Sequence, residues 1–146
     1  MSPGPGPVKL LYGAGGLSIA ASIVHGGLTS AHFSEWWLEG VFFTLAAMAQ
    51  GIYGFVILSS HAINGAPIDA RWPPATLRAF YVAGIVGNAA LVLTYVASRT
   101  VGFLGVFEAW DALGIMTKLL ECALIAVLAA LLWRPPAPSA PLTPAS

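Results

Sequence analysis

Charge is scarce in this sequence. The chain has 146 residues, of which 8% are Asp, Glu, Lys or Arg, whereas a soluble domain carries about 25%. The formal net charge is zero and there is no basic tract, so nucleic acid is excluded as an expected partner. Hydrophobic residues reach 58% and the mean hydropathy is +0.81. These values predict a single domain whose apolar surface is covered by lipid.

Cysteines and the common catalytic motifs are also nearly absent. Cys122 is the only cysteine, which excludes an intrachain disulfide and a metal site built from several cysteines. The sequence contains no glycine-rich nucleotide loop and no GxSxG, HExxH or CxxC pattern. A membrane enzyme that uses Glu or His as acid–base groups on a hydrophobic substrate is therefore the least favoured functional hypothesis.

Four stretches are apolar over enough residues to cross about 30 Å of hydrocarbon. They cover about 8–30, 36–62, 77–98 and 112–133. The expected fold is an all-α, integral membrane four-helix bundle in one transmembrane domain, with flexible proline-rich tails at 1–7 and 134–146. In the first stretch, Gly16 and Ala20 form a small-xxx-small pair that favours close helix packing. A cleaved signal peptide ending near Ala31 is an alternative interpretation of this stretch.

The few charged residues are distributed unevenly between the two ends of such a bundle. Arg99 is the only basic residue in the outer loops, and the opposite end carries Lys9, Arg71, Arg78 and Arg134. Because basic residues favour the cytoplasmic side, both termini are expected in the cytoplasm. Tryptophans are expected at both interfaces, with Trp36, Trp37 and Trp110 outside and Trp72 and Trp133 inside.

Each predicted span carries polar residues along one face, and such faces must turn away from lipid to find partners. The four faces are therefore expected to meet along the bundle axis. Gln50, Asn88 and Glu121 fall near the middle of their spans, and the other polar residues fall closer to the outer end. The candidate intramembrane polar cluster consists of His25, Glu39, Gln50, Asn88, Tyr95, Arg99, Lys118 and Glu121.

Lys118 and Glu121 are the most unusual residues of this cluster, because a charge at the centre of a membrane helix costs about 2.5–3.5 kcal/mol. An i,i+3 ion pair, shared with Glu39, would satisfy both charges and fix the helix register. A proton relay or a ligand site is the second interpretation. The third is a Lys118 side chain that extends along the lipid to the interface.

His25, His32, Glu35 and Glu39 are candidate metal ligands, since imidazole and carboxylate suit zinc, iron or copper(II). The paired Glu-x-x-His motifs of di-iron bundles are missing, and satisfied polar residues at a helix entrance are the alternative. A haem held by two histidines is disfavoured, because His25 and His61 are expected at opposite ends of the bundle. The sequence identifies no other cofactor.

Two long segments resemble a group of small uncharacterised four-helix membrane proteins of high-GC bacteria and archaea. They are HFSEWWLEGVFFTLAAMAQGIYG and GNAALVLTYVASRTVGF, and with Glu121 the resemblance extends over 32–121, about two-thirds of the chain. The shared pattern comprises a histidine before Glu35-Trp36, then Gly40, Phe42-Phe43, Gln50, Tyr53, Gly87-Asn88, Tyr95, Arg99-Thr100 and Gly102. Those proteins usually continue with a proline-glycine stretch, where this chain has Phe103-Leu104-Gly105. The resemblance implies a multi-pass protein of a prokaryotic plasma membrane, and no established activity accompanies it.

Two further functional hypotheses remain open. The first is an accessory or structural subunit of a larger membrane complex, such as an electron-transfer complex, because the loops are short and the proline-rich tails could dock on partners. Its partners would be the lipid bilayer and other membrane subunits or further copies of the chain. The second is a self-contained site, open to the outer side, that binds a metal ion, a quinone or a small solute, or that relays protons.

Overall fold

The computed structural model describes residues 5–64, 68, 71–102 and 107–134, and over these residues its regular structure is helical. The helices are α1 (Pro5–Glu35), α2 (Trp37–Asn64), α3 (Pro74–Thr100) and α4 (Ala112–Leu132). All four are long and apolar enough to cross a membrane. This confirms the predicted all-α class with four potentially membrane-spanning helices.

Local signals set the ends of α3 and α4. Pro73 is the N-cap of α3 and Pro74 is its first residue, where a missing N–H group leaves no helical hydrogen bond unmade. Beyond the end of α3, Gly102 adopts a φ of +78°, a left-handed conformation that glycine reaches without a steric penalty. Asp111 caps α4, because its Oδ1 accepts a hydrogen bond of 2.6 Å from the Gly114 amide.

Helix α1 is longer than the first predicted span. It begins at Pro5, inside the segment predicted as a tail, and it continues to Glu35, beyond the predicted end at residue 30. Only Trp36 separates it from α2, so the two helices meet in a tight turn. The remaining parts of the predicted tails, 1–4 and 135–146, lie outside the described residues, as does Phe103-Leu104-Gly105.

The helices pack in the order α2, α1, α4, α3. Helix α1 lies against both α2 and α4, and α4 also lies against α3. Helices α2 and α3 approach each other less closely, and long side chains bridge the space between them. The Tyr53 ring stacks on Phe80 with centroids 4.2 Å apart, and the Tyr53 hydroxyl donates to the Phe80 carbonyl oxygen at 3.1 Å. This arrangement leaves a crevice between α2 and α3.

Glycines allow the close approach of α1 and α2. A Cβ atom built on Gly54 would lie 2.8 Å from the Gly15 carbonyl oxygen, and one built on Gly15 would lie 2.6 Å from the Leu58 side chain. Gly16, which the sequence suggested as a packing residue, is instead exposed with open space around it. The contact therefore uses Gly15 instead of Gly16. The face of α1 that packs against α2 is rotated by one residue from the predicted face.

Helix α4 presents one buried stripe to the other helices. Its buried residues recur every three or four positions, as expected for one face of a helix, and they are Gly114, Thr117, Glu121, Leu124, Leu128 and Leu131. The leucines join an apolar core with Leu11, Ala14 and Ile57, near the start of α1 and the end of α4. We call that end of the bundle the terminal end and the opposite one, with the α1–α2 turn, the distal end. Polar residues of the stripe thus lie in its middle and distal parts.

Candidate functional site

The centre of the site is Glu121, whose side chain is fully buried with 0% exposure. Its Oε1 accepts a hydrogen bond from Gln50 Nε2 at 3.3 Å and lies 2.8 Å from His25 Nε2. Its Oε2 lies 2.6 Å from Lys118 Nζ on the same helix. A carboxylate buried without partners would be costly, so these contacts compensate the burial of this group.

Two amides extend these contacts to α3. Gln50 Nε2 donates to Asn88 Oδ1 at 3.0 Å, and Asn88 Nδ2 donates to the Gly84 carbonyl oxygen at 2.8 Å. Every helix therefore contributes at least one side chain to what we call the buried network, which consists of His25, Gln50, Asn88, Lys118 and Glu121. Within the described part of the chain, His25 Nδ1 and Gln50 Oε1 are buried without a hydrogen-bond partner.

The position of His25 differs from the one inferred from sequence. The predicted first span ended near residue 30 and placed His25 close to the outer surface, but α1 continues to Glu35. His25 therefore lies about 15 Å below the end of its helix, at the level of Glu121. The suggested participation of Glu39 in the Lys118–Glu121 pair is wrong, because the Glu39 carboxylate faces His32, with Oε2 3.4 Å from Nδ1.

A second group of charges surrounds Arg99 near the distal end. Its Nη1 lies 2.5 Å from Glu108 Oε2, and its Nη2 donates to Asp111 Oδ2 at 3.1 Å. The guanidinium also lies over the Tyr95 ring, 3.6 Å from the centroid. The Arg99 side chain is only 9% exposed, so α3 holds both carboxylates of the segment that leads into α4 in place.

The surroundings of Asp111 lower its pKa below the ordinary value of an aspartate. Burial by itself would raise this pKa, but the hydrogen bond from the Gly114 amide and the hydrogen bond and charge of Arg99 outweigh it. A group with a lowered folded-state pKa stabilises the fold fully above its unfolded-state pKa, and this contribution is lost as the pH falls through the folded-state value. For Asp111, the loss therefore begins near pH 3.8 and continues below it.

Replacing Asp111 with alanine is expected to lower the free energy of unfolding by about 1 kcal/mol at pH 7, as for other N-cap residues. Thermal unfolding of both proteins, followed by circular dichroism in detergent, measures this difference. The difference in free energy of unfolding between Asp111→Ala and the wild type should become smaller when the same scans are run below pH 3.8. At that pH the wild-type carboxylate is becoming protonated. An equal difference at both pH values would contradict the assignment.

A cavity of about 410 Å³ lies between these charged groups and the buried network. We call it the distal cavity. Its walls are largely apolar and include Leu28, Leu38, Phe42, Phe43 and Leu91. Towards the buried network it ends on His25, Thr117 and Lys118, and at the distal end it is bordered by His32, Glu39, Arg99, Glu108 and Asp111. An apolar chamber with a few convergent polar groups is typical of small-molecule sites.

A second cavity of about 290 Å³ lies in the crevice between α2 and α3. Small residues line much of it, namely Ala46, Ala49, Ala83, Gly84 and Gly87. Gln50 and Asn88 of the buried network also border it. Phe42 and Leu91 line both cavities, so the two spaces adjoin at these side chains.

The four candidate metal ligands do not form one group. His32, Glu35 and Glu39 bring one ligand atom each to within 4.8 Å of one another. His25 lies apart from them, because its Nε2 contacts Glu121. The Phe43 ring lies next to both imidazoles. The centroid distances from Phe43 are 5.3 Å to His25 and 3.8 Å to His32.

The eight residues of the predicted polar cluster therefore divide into three groups in the structure. Five form the buried network, Tyr95 and Arg99 join Glu108 and Asp111, and Glu39 joins His32. Sequence reasoning left Glu108 and Asp111 out of the cluster. A signal for Asp111 was available, because an aspartate directly before an apolar run is typical of a helix N-cap.

Comparison of the chain with protein-family models, with curated proteins and with solved structures gave no match.

Proposed function

We propose that the chain is a multi-pass membrane protein whose distal cavity binds a lipophilic small molecule of the quinone class. The observation that carries this proposal is the composition of the cavity, whose apolar walls end on His25 and Lys118, both in contact with the buried Glu121. Its volume of about 410 Å³ lies within the range of about 300–1,000 Å³ for small-molecule pockets. Such a chamber suits an apolar ring with hydrogen-bond acceptors at one end.

Lys118 is the group that would hold the head of this ligand. Its side chain is 13% exposed and lines the cavity, and its ammonium has three donors, of which one faces Glu121 Oε2. Arg99 is less available, because Glu108 and Asp111 already accept from its guanidinium. A charge-assisted hydrogen bond from Lys118 to a carbonyl oxygen is about twice as strong as a neutral one. His25 and Glu121, 2.8 Å apart, form a pair between which a proton can pass without a large movement of either side chain.

The crevice between α2 and α3 provides a place for the hydrocarbon chain of such a ligand. It adjoins the distal cavity at Phe42 and Leu91, and small side chains leave it open along the outer surface of the bundle. A chain that leaves the head group at Phe42 would therefore run between α2 and α3 towards lipid. This path requires no displacement of α1 or α4.

The orientation in the membrane follows from the distribution of charge. The connection from α2 to α3, the start of α3 and the two chain ends carry the basic residues Arg71, Arg78, Lys9 and Arg134. By the positive-inside rule, the terminal end lies in the cytoplasm of a prokaryotic cell and the distal cavity opens on the opposite side. The ligand is thus bound in the outer half of the bilayer.

The proposal is tested by equilibrium titration of the wild-type chain, reconstituted in lipid nanodiscs, with a benzoquinone that carries a decyl chain. Saturable binding is expected. Lys118→Gln should weaken it about tenfold or more, since a hydrogen bond to a charged group contributes about 1.5–3 kcal/mol and each 1.4 kcal/mol is tenfold in affinity. The matched control is Lys9→Gln, which changes an exposed lysine on α1 far from the cavity. No saturable binding, or equal affinities of the two variants, would contradict the proposal.

The same titration with a benzoquinone that lacks the chain tests the path along the crevice. Gly87 lines the crevice, and among the described residues a Cβ atom there would meet no atom of another helix within 4 Å. Gly87→Leu should therefore occupy part of the crevice and reduce the affinity advantage of the decyl compound. Gly16→Leu, at an exposed glycine outside both cavities, should preserve that advantage.

The accessory-subunit hypothesis stays a prediction. The proposed ligand would equally suit a subunit that delivers a quinone to an electron-transfer complex.

A further inference from the structure

The α1–α2 turn brings three potential metal ligands together at the distal end. His32 Nδ1 lies 3.4 Å from Glu35 Oε2 and 3.4 Å from Glu39 Oε2. All three ligand atoms lie within 4.8 Å of one another. His32 and Glu35 come from the last turn of α1 and Glu39 from the first turn of α2, so the reversal of the chain at Trp36 creates the group.

The turn that carries these ligands is held by several contacts. The Trp36 amide donates to the His32 carbonyl oxygen at 2.9 Å, and the Gly40 amide donates to the Trp36 carbonyl oxygen at 3.2 Å. The His32 ring stacks on Phe43 with an interplanar angle of 14°. A Cβ atom on Gly40 would collide with the Phe33 ring, so this glycine lets the turn close. The imidazole is therefore oriented by packing rather than by the carboxylates.

Two of the distances match the spacing of ligands around a metal ion. Hydrogen bonds from a ring nitrogen to an oxygen are about 2.7–3.2 Å long, and the two contacts of 3.4 Å are longer than that. Nitrogen and oxygen ligands that surround zinc tetrahedrally at about 2.0–2.1 Å are about 3.4 Å from each other. Both distances from His32 Nδ1 match this value, and the ligand atoms of Glu35 and Glu39 lie within 4.8 Å of each other. Apart from these two contacts, His32 Nδ1 has no polar partner within the described residues.

The charge at this end of the bundle is also unbalanced. Four carboxylates lie near the distal end, namely those of Glu35, Glu39, Glu108 and Asp111. In the described part of the chain, Arg99 pairs with Glu108 and Asp111. Lys118 is paired with Glu121. Within the described residues, no Lys or Arg pairs with Glu35 or Glu39. A cation placed between these two carboxylates and His32 would neutralise them.

The geometry points to a site for a divalent transition-metal ion, of the zinc or copper(II) class, formed by His32, Glu35 and Glu39. One imidazole and two carboxylates leave at least one coordination position for water or another ligand. His32 and Glu39 line the distal cavity, so that position faces the space proposed for the lipophilic ligand. The metal site goes beyond the proposed quinone binding and does not depend on it.

The test is isothermal titration of the full chain, purified in detergent without a histidine tag, with zinc chloride. We expect one zinc ion per chain. His32→Ala and Glu39→Gln should each weaken binding by more than about tenfold, because even groups that only support a metal ligand contribute about 10–100-fold. His61→Ala is the matched control for the histidine, since it lies near the opposite end of α2.

A spectroscopic measurement keeps the proposal testable if a variant folds poorly. Copper(II) bound to the wild-type chain should show an electron paramagnetic resonance spectrum with coupling to a single nitrogen, as one imidazole and two carboxylates require. Absence of zinc binding by the wild type, equal binding by His32→Ala and His61→Ala, or coupling to two or more directly bound nitrogens would overturn the proposal. Calcium chloride should give no comparable heat, because nitrogen ligands do not suit that ion.

Discussion

Replacing Glu121 with alanine is expected to lower the free energy of unfolding by about 3–5 kcal/mol, the typical cost of breaking a buried ion pair by removing one partner. The reason is that Lys118 Nζ and His25 Nε2, at 2.6 and 2.8 Å from the carboxylate, both lose their partner while they remain buried. Equilibrium unfolding in mixed detergent micelles, followed by circular dichroism, provides the measurement.

Two further variants separate the loss of charge from the loss of shape. Glu121→Gln keeps an oxygen for His25 and Gln50, so it should be less destabilising than Glu121→Ala. The double variant Lys118→Met with Glu121→Leu removes both charges and should recover part of the stability lost in Glu121→Ala, while His25 Nε2 still lacks its partner. If Glu121→Ala is no less stable than Glu35→Ala, a change at an exposed carboxylate, the network does not stabilise the fold.

Replacing Gly54 with leucine is expected to separate α1 from α2. The nearest atom to a Cβ on Gly54 is the Gly15 carbonyl oxygen at 2.8 Å, followed by Ile19 Cγ1 at 2.9 Å. A side chain in contact with backbone has no rotamer that relieves the clash, so the helices must move apart. Overpacking lowers the free energy of unfolding by about 1–3 kcal/mol where side chains can adjust. Because the clash here is with backbone, we expect Gly54→Leu to lower it by at least about 3 kcal/mol. The free energy of unfolding in detergent tests this directly.

Gly16→Leu is the matched control for Gly54→Leu, because in the described part of the chain no atom of another helix lies within 4 Å of a Cβ on Gly16 and the residue is exposed. It should not lower the free energy of unfolding, and loss of a glycine from a helix interior should raise it by about 0.5–1 kcal/mol. A Gly54→Leu chain as stable as Gly16→Leu would show that the close contact of α1 and α2 is not required.

Much of the fold could be predicted because it depends on properties that are local in the chain. Apolar runs of sufficient length predict helices that can span a membrane, and prolines at 73–74 and Asp111 mark two helix starts. The end of α1 was harder to predict. Its last turns contain His32, Ser34 and Glu35, which lower the hydropathy but do not interrupt the helix. A span defined by hydropathy therefore ended near residue 30, before the helix does.

The candidate site could be predicted only in part. Gln50, Asn88 and Glu121 were expected at one depth because each lies near the middle of its span, and the structure joins them by hydrogen bonds. The contact of His25 with Glu121 was not predicted, since an error of about five residues in the end of α1 displaces His25 by about 7 Å along the axis. Likewise, the pairing of Arg99 with Glu108 depends on the path of a loop, which hydropathy does not describe.

The sequence by itself determined that the chain forms four apolar helices, each with one polar face that must find partners, because hydropathy and helical periodicity are properties of the chain alone. The tertiary structure decided which polar groups meet and where space remains. Gly15 and Gly54 let α1 and α2 approach closely, whereas the stacked rings of Tyr53 and Phe80 hold α2 and α3 apart and leave the crevice open. Distances between helices depend on which residues face each other across the contact, and only the folded arrangement pairs them.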